Sequence, residues 1–510
     1  MPAETKNMIK KQITAVIVAA VLLIAVTVVY FAVIKPLDES NSAVTEEAET
    51  LLPGEEPGAA DRFYMYTHVE REDMSSIEVT NGYGTFKMIA DGNGSFCIEG
   101  YEDIAVDGTK LSSLVTTCGA TLTKARVTDN ATDEKLAEYG LKEPSAHWTV
   151  TDKAGKQYKV YVGRALLTGG GYYCRFAGRD SVYVLDVTLA DTVLCPVENY
   201  VVPYIIFGVS KDDYFTVDDF TVYKGREKVI SISNVPTDEI KNPGALAESV
   251  VSYPAPYAPD PENYYGILLS YAALIGDETY KLGPTDETLA ECGLNDPTYT
   301  VSFNYKGNNF YFFLKDDGEG NYYAISNLYS GIISKISKRN LAYPEYDLLK
   351  WLHRYVFRRN IVTVSSISVK TDNVDETFYL SHGTDGNGNA TLQVRSENGL
   401  EIKSDESVLS FRNFYGHLVE IAINGYLPEE ASEGVPMKDF VADEGNRTMT
   451  VEIKTLAGET LTYEFYRYTT RRCALGVNGR FDFSALYDDA RRIEQDVERL
   501  LAGEFIEAHN

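Results

Sequence analysis

The sequence predicts an α+β fold: tandem repeats of mainly antiparallel sheet with short packing helices, preceded by one N-terminal transmembrane helix. Three observations lead to this prediction. One stretch near the N-terminus is apolar and uncharged, a strand-like segment recurs along the rest of the chain, and the composition includes 37 tyrosines, a residue type that is enriched in strands. The length of 510 residues accommodates about three domains.

The apolar stretch is residues 13–34, which form 22 consecutive positions without a charge. A helix of this length can cross a hydrocarbon core about 30 Å thick. Lys6, Lys10 and Lys11 precede it, so the positive-inside bias puts residues 1–12 in the cytoplasm and the bulk of the chain outside the membrane. A cleaved signal peptide is the alternative. The length of the run and the lack of an A-x-A site favour an uncleaved, single-pass anchor in the lipid bilayer.

Residues 35–62 are predicted to be an acidic, disordered tether. The segment contains eight acidic residues and, between Leu37 and Asp61, no basic one. Pro53, Gly54, Pro57 and Gly58 disfavour a helix. Such a composition cannot bury enough apolar surface to order itself, so a spacer between membrane and folded region is expected.

The folded region is predicted to contain three copies of one α+β unit. Strand-like segments begin at Met74, Val217 and Val364 and read MSSIEV, VDDFTV and VSSISV, with starts 143 and 147 residues apart. Each alternates apolar and polar residues, as a half-buried strand does. The predicted repeat units are residues 63–210, 211–360 and 361–510, the last with a C-terminal helix.

A longer repeat, which we name the stop motif, reads TDEKLAEYGLKEP at residues 132–144 and TDETLAECGLNDP at residues 285–297, with nine of thirteen positions identical. The initial Thr or Asp can cap a short helix. Gly140 and Gly293 can adopt the left-handed conformation that ends it, and the final proline prevents its continuation. The motif is therefore predicted to be structural.

The remaining elements follow from local patterns. Helices are predicted near Leu111–Cys118, Tyr264–Leu274, Val408–Ile421 and, with an amphipathic pattern, Phe483–Leu501. Hairpins are predicted to pair Trp148–Val150 with Tyr158–Tyr161, Tyr299–Asn304 with Phe310–Leu314, and Thr450–Lys454 with Leu461–Phe465. Two further strands are predicted to open at Tyr172-Tyr173 and Tyr322-Tyr323. The third repeat unit lacks a clean copy of the stop motif.

This order of elements, with LAEYGLKEP at residues 136–144 and GGGYY at residues 169–173, resembles the DUF4340 family of bacterial, membrane-anchored proteins of unknown function. The resemblance covers the anchor and the region from Met74 to about Gly503. One departure is Phe96, where the family usually has Trp. The resemblance implies partners of the ABC-type transport kind, because family members are often found beside such components.

No recognised catalytic or cofactor motif is present. The six His are dispersed, the six Cys have no C-x-x-C spacing, and G-x-S-x-G, Walker and Rossmann patterns are missing from the sequence. We therefore predict no catalytic residue, no cofactor and no metal site. The stretch at residues 385–389 resembles the start of a calcium loop, but Ala390 and Ser396 replace its required Gly and Glu. A tight turn is favoured over weak calcium binding.

The cysteines leave two alternatives open. Pairing of Cys97 with Cys118, or of Cys174 with Cys195, is conceivable in an oxidising compartment. Six buried, unpaired cysteines that act as small hydrophobic residues are favoured.

A Pro/Tyr-rich loop at residues 253–261 offers a possible partner-binding surface. Its residues lose little conformational entropy on docking, and the tyrosines in and just after it are Tyr253, Tyr257, Tyr264 and Tyr265. The alternative is a rigid crossover loop, which is favoured. The apolar run at residues 200–207 is too short to span a bilayer and is expected to be buried between the first two repeat units.

The sequence therefore predicts a membrane-anchored, extracytoplasmic accessory or scaffold protein that is not an enzyme and works beside a membrane complex. A cell-envelope module that binds glycans or peptides is the alternative, and an enzyme with an unrecognised site is a third hypothesis. The net charge of −28 argues against nucleic-acid binding, since phosphate backbones would repel the chain.

Overall fold

The computed structural model describes residues 51–58, 62–234, 249–356, 359–431 and 434–508. The predicted cytoplasmic residues 1–12, the predicted transmembrane helix 13–34 and residues 35–50 of the predicted tether lie outside these ranges. Within the described ranges, no helix combines the length and apolar character that a membrane span requires.

The described chain consists mainly of antiparallel strands with a few helices, which confirms the predicted α+β class. Three sheets of eight strands each make up most of it. The chain divides into two compact units. The N-terminal compact unit contains the first sheet and ends at Pro196, and the C-terminal compact unit contains residues 101–107 and the second and third sheets. The exact limits of the three repeat units stay a prediction.

The N-terminal compact unit opens with a short hairpin. Its elements are β1 (Glu56–Pro57), β2 (Phe63–Tyr64), β3 (Met74–Asn81), β4 (Gly84–Ala90), β5 (Phe96–Ile98), α1 (Gly108–Gly119), β6 (Thr123–Thr128), α2 (Asp133–Glu138), β7 (Ala146–Asp152), β8 (Gln157–Ala165), β9 (Gly171–Phe176), β10 (Val182–Asp186) and α3 (Val187–Leu194). The first sheet has the spatial order β5-β4-β3-β7-β8-β9-β10-β6.

The second sheet repeats this plan in the C-terminal compact unit. Its region contains β11 (Tyr204–Phe207), β12 (Asp218–Lys224), β13 (Glu227–Asn234), β14 (Ser249–Tyr253), α4 (Pro261–Ser270), β15 (Ala273–Ile275), β16 (Glu278–Leu282), α5 (Asp286–Glu291), β17 (Tyr299–Tyr305), β18 (Asn308–Asp316), β19 (Asn321–Ser326), β20 (Ile332–Ser337) and α6 (Leu348–Trp351). The order β14-β13-β12-β17-β18-β19-β20-β16 places corresponding strands as in the first sheet, and β11 pairs separately with β15.

The third sheet varies the plan at its edges. Its region contains β21 (Val364–Lys370), β22 (Asp375–Thr384), β23 (Ala390–Ser396), β24 (Glu401–Ile402), α7 (Asp405–Val419), α8 (Met437–Ala442), β25 (Arg447–Thr455), β26 (Thr460–Arg467), β27 (Arg472–Val477), β28 (Arg480–Leu486) and α9 (Tyr487–Leu501). In the order β24-β23-β22-β21-β25-β26-β27-β28, the sheet gains β24 at one edge, and β28 is the other edge strand, without a counterpart of β6 or β16 beside it. Residues near Gly425 bond to it instead, with Ser484 N donating to Gly425 O at 3.0 Å.

The repeated strands and the three hairpins are confirmed. The segments that begin at Met74, Val217 and Val364 form the first strand of each sheet, with Val217 one residue before β12. The hairpins pair Trp148 with Val160, Val301 with Phe312 and Val451 with Tyr463. In these strands every second side chain enters the core, which is the alternation that predicted them.

The stop motif ends its helix as predicted. The Thr132 side chain accepts a bond from Lys135 N, and the Thr285 side chain accepts one from Thr288 N. Gly140 and Gly293 have φ values of +73° and +66°, and Leu141 N bonds to Leu136 O at 2.7 Å, which is a Schellman cap.

The stop motif also covers the outer face of its sheet. In the first sheet, Leu136 and Leu141 cluster with Val182 of β10. In the second, Cys292 and Leu294 cluster with Ile333 of β20. The opposite face of each of the three sheets packs against longer helices, for example α1 and α3 on the first sheet.

The third sheet achieves the same cover with a different segment. Met437 of α8 and Ala431 pack with Tyr466 of β26 and Ala474 of β27. Residues 427–431 and 434–442 therefore take the place of the stop motif, which the sequence repeat alone did not indicate.

Two predicted helix boundaries are wrong. The helix predicted over Tyr264–Leu274 is α4, which ends at Ser270, because residues 273–275 form β15 and pair with β11. The helix predicted over Phe483–Leu501 begins only at Tyr487. Phe483 to Leu486 belong to β28 and pair with β27. Because the apolar end of this strand is followed directly by an amphipathic helix, the sequence pattern does not show where the helix begins.

The predicted disordered tether is wrong over its described C-terminal part. Glu55 is 7% exposed, and its carboxylate accepts bonds from Tyr183 Oη at 2.8 Å and Leu52 N at 2.7 Å. Arg126 Nη2 lies 3.5 Å from the same carboxylate, with side-chain exposures of 3% and 0%. The acidic composition predicted that this segment would be disordered. The buried ion pair between Glu55 and Arg126 instead holds it against the first sheet.

Replacing Glu55 should destabilise the N-terminal compact unit. In Glu55→Gln the guanidinium of Arg126 loses a buried anionic partner, while its pair with the exposed carboxylate of Asp129 at 2.8 Å remains. We therefore expect a loss of about 1–3 kcal/mol. The measurement is urea unfolding followed by the fluorescence of Trp148, which is buried in β7, with Trp351→Phe in every variant to leave one reporter.

The matched control is Glu138→Gln, which removes a pair with Lys135 whose side chains are 53% and 60% exposed. An exposed pair of this kind contributes little to stability, because solvent screens it. Equal unfolding midpoints for Glu55→Gln and Glu138→Gln would show that the docked segment adds nothing to stability.

Candidate functional site

The four tyrosines predicted as a partner-binding surface do not share an exposed face. Tyr257 and Tyr264 are each 1% exposed and belong to the core. Tyr265 is partly buried and packs against that core. Tyr253, at the end of β14, is 40% exposed, with Lys228 Nζ 5.6 Å from its ring centroid.

The Pro/Tyr loop that contains these residues joins the second and third sheets. Tyr257 Oη donates to Asp482 Oδ2 at 3.1 Å, and its ring packs edge-on against Phe483 at 5.4 Å. Asp260 N donates to Trp351 O at 2.8 Å. The favoured alternative, a rigid crossover loop, agrees with these contacts.

The structure instead exposes rings on the outer face of the second sheet. We name Tyr280, Tyr311, Phe313 and Tyr323 the aromatic surface. The rings of Tyr280 and Tyr323 lie 4.7 Å apart, and those of Tyr311 and Phe313 lie 5.5 Å apart. Tyr280 is 45% exposed and Tyr311 is 39% exposed, whereas the other two rings are half-buried.

Strand alternation explains how these rings reach the outer face. In β18, Phe312 and Leu314 are fully buried in the core, so Tyr311 and Phe313 point to the opposite face. Phe313 is paired with Ile325 of β19, and Tyr323 is paired with Lys335 of β20. Cross-strand partners point to the same side of a sheet, which extends the outer face across three strands.

A single difference between the two stop motifs helps to leave this surface open. Tyr139 of the first motif stacks on Tyr173 of β9 with ring centroids 4.4 Å apart. The corresponding residue of the second motif is Cys292, whose short side chain covers less of the sheet. Tyr323 therefore keeps a ring face that Tyr280 contacts from the edge strand β16.

The other two outer faces carry no such group of exposed rings among the described residues. On the first sheet, the charged groups of Lys159 and Arg175 each lie 5.2 Å from the Tyr161 ring centroid. On the third sheet, Tyr466 and Tyr468 are 3% and 7% exposed in a cluster with Leu427, Phe440 and Val441. Tyr379 of β22 is 43% exposed, and the guanidinium of Arg395 lies 5.9 Å from its ring centroid.

A carboxylate and a lysine fix the polar border of the aromatic surface. Lys335 Nζ lies 5.6 Å from the Tyr323 ring centroid and 3.2 Å from Asp317 Oδ2. Burial raises the pKa of Tyr323, and the neighbouring Tyr280 adds to the effect. Burial alone would raise the pKa of Asp317, but bonds from Asn321 and Glu319 and the ion pair with Lys335 outweigh it and hold that pKa well below its usual value.

The sequence contained a signal for this surface. Residues 310–314 read FYFFL, which is apolar at inward and outward positions alike, whereas a strand with one solvated face alternates. Such a run indicates a strand that is contacted on both faces. The outward Tyr311 and Phe313 could have been identified from it, but the partner ring Tyr280 comes from a distant edge strand.

The cysteines form neither of the two disulfides that were considered. Among the described residues, Cys118 and Cys174 are fully buried free thiols. Burial raises the pKa of both thiols and raises the pKa of Cys473 to about 12. These side chains are protonated near neutral pH and act as small core residues.

The calcium-like stretch is a turn. Asp385 Oδ1 accepts bonds from Asn387 N and Asn389 N, each at 2.8 Å, so backbone donors occupy the oxygen that a calcium ion would need. No group of three or more His, Cys, Asp or Glu side chains suited to a metal ion occurs among the residues that the structure describes.

These features describe a sheet-rich α+β protein with a group of exposed rings on the outer face of its second sheet. Residues 98–262 match the family described as Domain of unknown function (DUF4340), so the chain contains a DUF4340 domain, in agreement with the resemblance. The match runs from the end of β5 into α4 and includes the first stop motif. A search of the curated proteins finds no match, and neither does a search of the solved structures.

The stability that Asp317 contributes at the border of the aromatic surface should depend on pH. Asp317→Asn removes a charged acceptor that is 5% exposed, and we expect a loss of about 1–3 kcal/mol at pH 7. Because the folded-state pKa of Asp317 is depressed, its contribution is fully present above the unfolded value of about 4. That contribution is lost as pH falls through the folded-state pKa.

The measurement is the difference in unfolding free energy between the original chain and Asp317→Asn from pH 7 to pH 3. It should be constant to about pH 5 and shrink below about pH 4. Asp372→Asn is the control, since it removes an exposed carboxylate from the loop between β21 and β22. A difference that grows on acidification would contradict the assignment.

Proposed function

We propose that the protein is a bacterial, single-pass, membrane-anchored extracytoplasmic accessory or scaffold protein without catalytic activity, which works beside a membrane complex. The uncharged residues 13–34 and the lysines before them support the anchor and its orientation. The resemblance to the DUF4340 family makes an ABC-type transport complex the partner class to test first.

The aromatic surface is the observation that carries the proposal. An accessory protein needs a contact surface, and exposed aromatic side chains grouped on one face are typical of interfaces. Tyr280 and Tyr311 expose 45% and 39% of their area, while the half-buried Phe313 and Tyr323 hold them in place. Rings fixed in this way lose little entropy when a partner binds.

The docking of Glu55 adds a geometric constraint to the anchor. Because residues 51–57 pack on the first sheet, the predicted flexible tether is now limited to residues 35–50. A flexible segment of that length has a root-mean-square reach of about 22 Å. The N-terminal compact unit is therefore expected to stay within a few tens of ångströms of the bilayer, where membrane partners are available.

A second candidate function is a cell-envelope module that binds glycans or peptides. The polar border of Tyr311 favours it, because Asn327 Oδ1 accepts from Tyr311 N at 2.9 Å and Asn327 Nδ2 donates to Asn309 O at 2.9 Å. Rings with amide groups beside them can stack on the apolar face of a sugar and bond to its hydroxyls.

Substitution of the exposed rings should reduce partner capture. In intact cells, a membrane-impermeant amine crosslinker should link the full-length chain to other membrane proteins. The double variant Tyr280→Ser/Tyr311→Ser should lower the captured amount by about tenfold or more, since loss of central aromatic residues costs an interface about 2 kcal/mol each. Mass spectrometry of the crosslinked species measures it.

The matched control is Tyr83→Ser, which removes a ring that is 73% exposed in a turn of the first sheet and should leave capture unchanged. Failure of the impermeant reagent to react with the chain at all would argue against the extracytoplasmic location. Retention of the purified full-length chain on wall polysaccharide, lost in the double variant, would favour the binding module over the scaffold.

A further inference from the structure

A solvent-open cavity of about 610 Å³ lies on the helical side of the third sheet. Its walls come from α7, from α9 and from the residues that follow α9. This volume falls within the range of about 300–1,000 Å³ that small-molecule sites occupy. The function proposed above makes no use of it.

A buried hydrogen-bonded pair of side chains forms one wall of the cavity. His417 of α7 and Asp496 of α9 are 9% and 3% exposed, and His417 Nδ1 lies 2.7 Å from Asp496 Oδ2. The carboxylate fixes the orientation of the imidazole ring, as a carboxylate partner does for a positioned histidine.

The rest of the cavity is held by helix geometry and by the chain after α9. Arg492, Asp496 and Arg499 are spaced by four and three residues and so share one face of α9. Arg499 Nη2 donates to Phe505 O at 2.6 Å. Ile506 is fully buried, and its N donates to Ser410 Oγ at 2.9 Å, so the third wall is tied to both helices.

Only some of the charged side chains that line the cavity have a charged partner. Arg499 bonds to Glu504 at 3.3 Å, and Asp496 bonds to His417. In the described part of the chain, no ion pair or side-chain hydrogen bond engages Arg492, Glu498 or Glu507, although all three line the cavity. One guanidinium and two carboxylates therefore face the same space.

A ligand that satisfies this wall must carry both signs of charge. A carboxylate matches the planar fork of Arg492, and an ammonium group matches Glu498 or Glu507. A simple anion would be repelled by the two glutamates, and a simple cation would be repelled by Arg492. We propose that this cavity binds a zwitterionic small molecule, namely a free α-amino acid.

The test uses the full-length chain in detergent and isothermal titration with the free L-amino acids, one at a time. Acetate and ethylamine serve as probes that carry a single charge. At least one amino acid should bind at least tenfold more tightly than either probe. Arg492→Gln should weaken that binding by about tenfold or more, the loss expected when a charge-assisted pair is removed.

Arg491→Gln is the matched control, because it removes the same charge from the neighbouring position, which is exposed and does not line the cavity. Arg492 is itself partly exposed, so its variant should keep the unfolding temperature of the original chain. The proposal is overturned if no amino acid binds, if acetate binds equally well, or if Arg491→Gln and Arg492→Gln weaken binding alike.

Discussion

The structure depends on covering both faces of a broad antiparallel sheet. Eight strands whose inner positions are apolar must bury that face against helices, and the pairs formed by α1 with α3 and α7 with α9 do so in the first and third sheets. The outer faces also carry rings and aliphatic side chains. A short segment that precedes the second half of each sheet in the chain covers part of them. It is the stop motif in two sheets and residues 427–431 with 434–442 in the third.

This requirement gives the stop motif its physical meaning. The capping threonine begins a helix of six residues, and the leucine pair and the left-handed glycine end it. The helix is thereby held in the orientation that places its leucines on the sheet. Where the cover is complete, the outer rings are buried or shielded by cations. Where Cys292 replaces the tyrosine of the first motif, rings remain open to solvent, and the proposed contact function rests on that difference.

Local chemistry made much of the fold predictable. The strands at Met74, Val217 and Val364, the hairpins and the helix stops at Gly140 and Gly293 depend on residues close together in the sequence, and all are observed. The misses depend on distant partners. Glu55 is ordered by Arg126 and Tyr183, and Tyr257 is buried by Asp482 and Phe483. No spacing rule in the sequence connects these residues.

The candidate sites show the same division. The outward positions of Tyr311 and Phe313 follow from strand alternation in a run that is apolar on both faces. The contact of Tyr323 with Tyr280 requires the long crossover that brings β16 beside β20. The pair of His417 and Asp496 joins residues 79 positions apart, so periodicity identified the helices but not the cavity between them.

The most direct test of this account is the substitution Cys292→Tyr, which gives the second stop motif the ring of the first. We expect the new ring to stack on Tyr323, as Tyr139 stacks on Tyr173, and to displace Tyr280 from it. Capture of membrane partners by the impermeant crosslinker should then fall, while the unfolding temperature is kept. Chemical modification of tyrosines would show whether the new ring protects Tyr323. If Tyr323 is protected and capture is undiminished, the claim that the aromatic surface is the contact surface is contradicted.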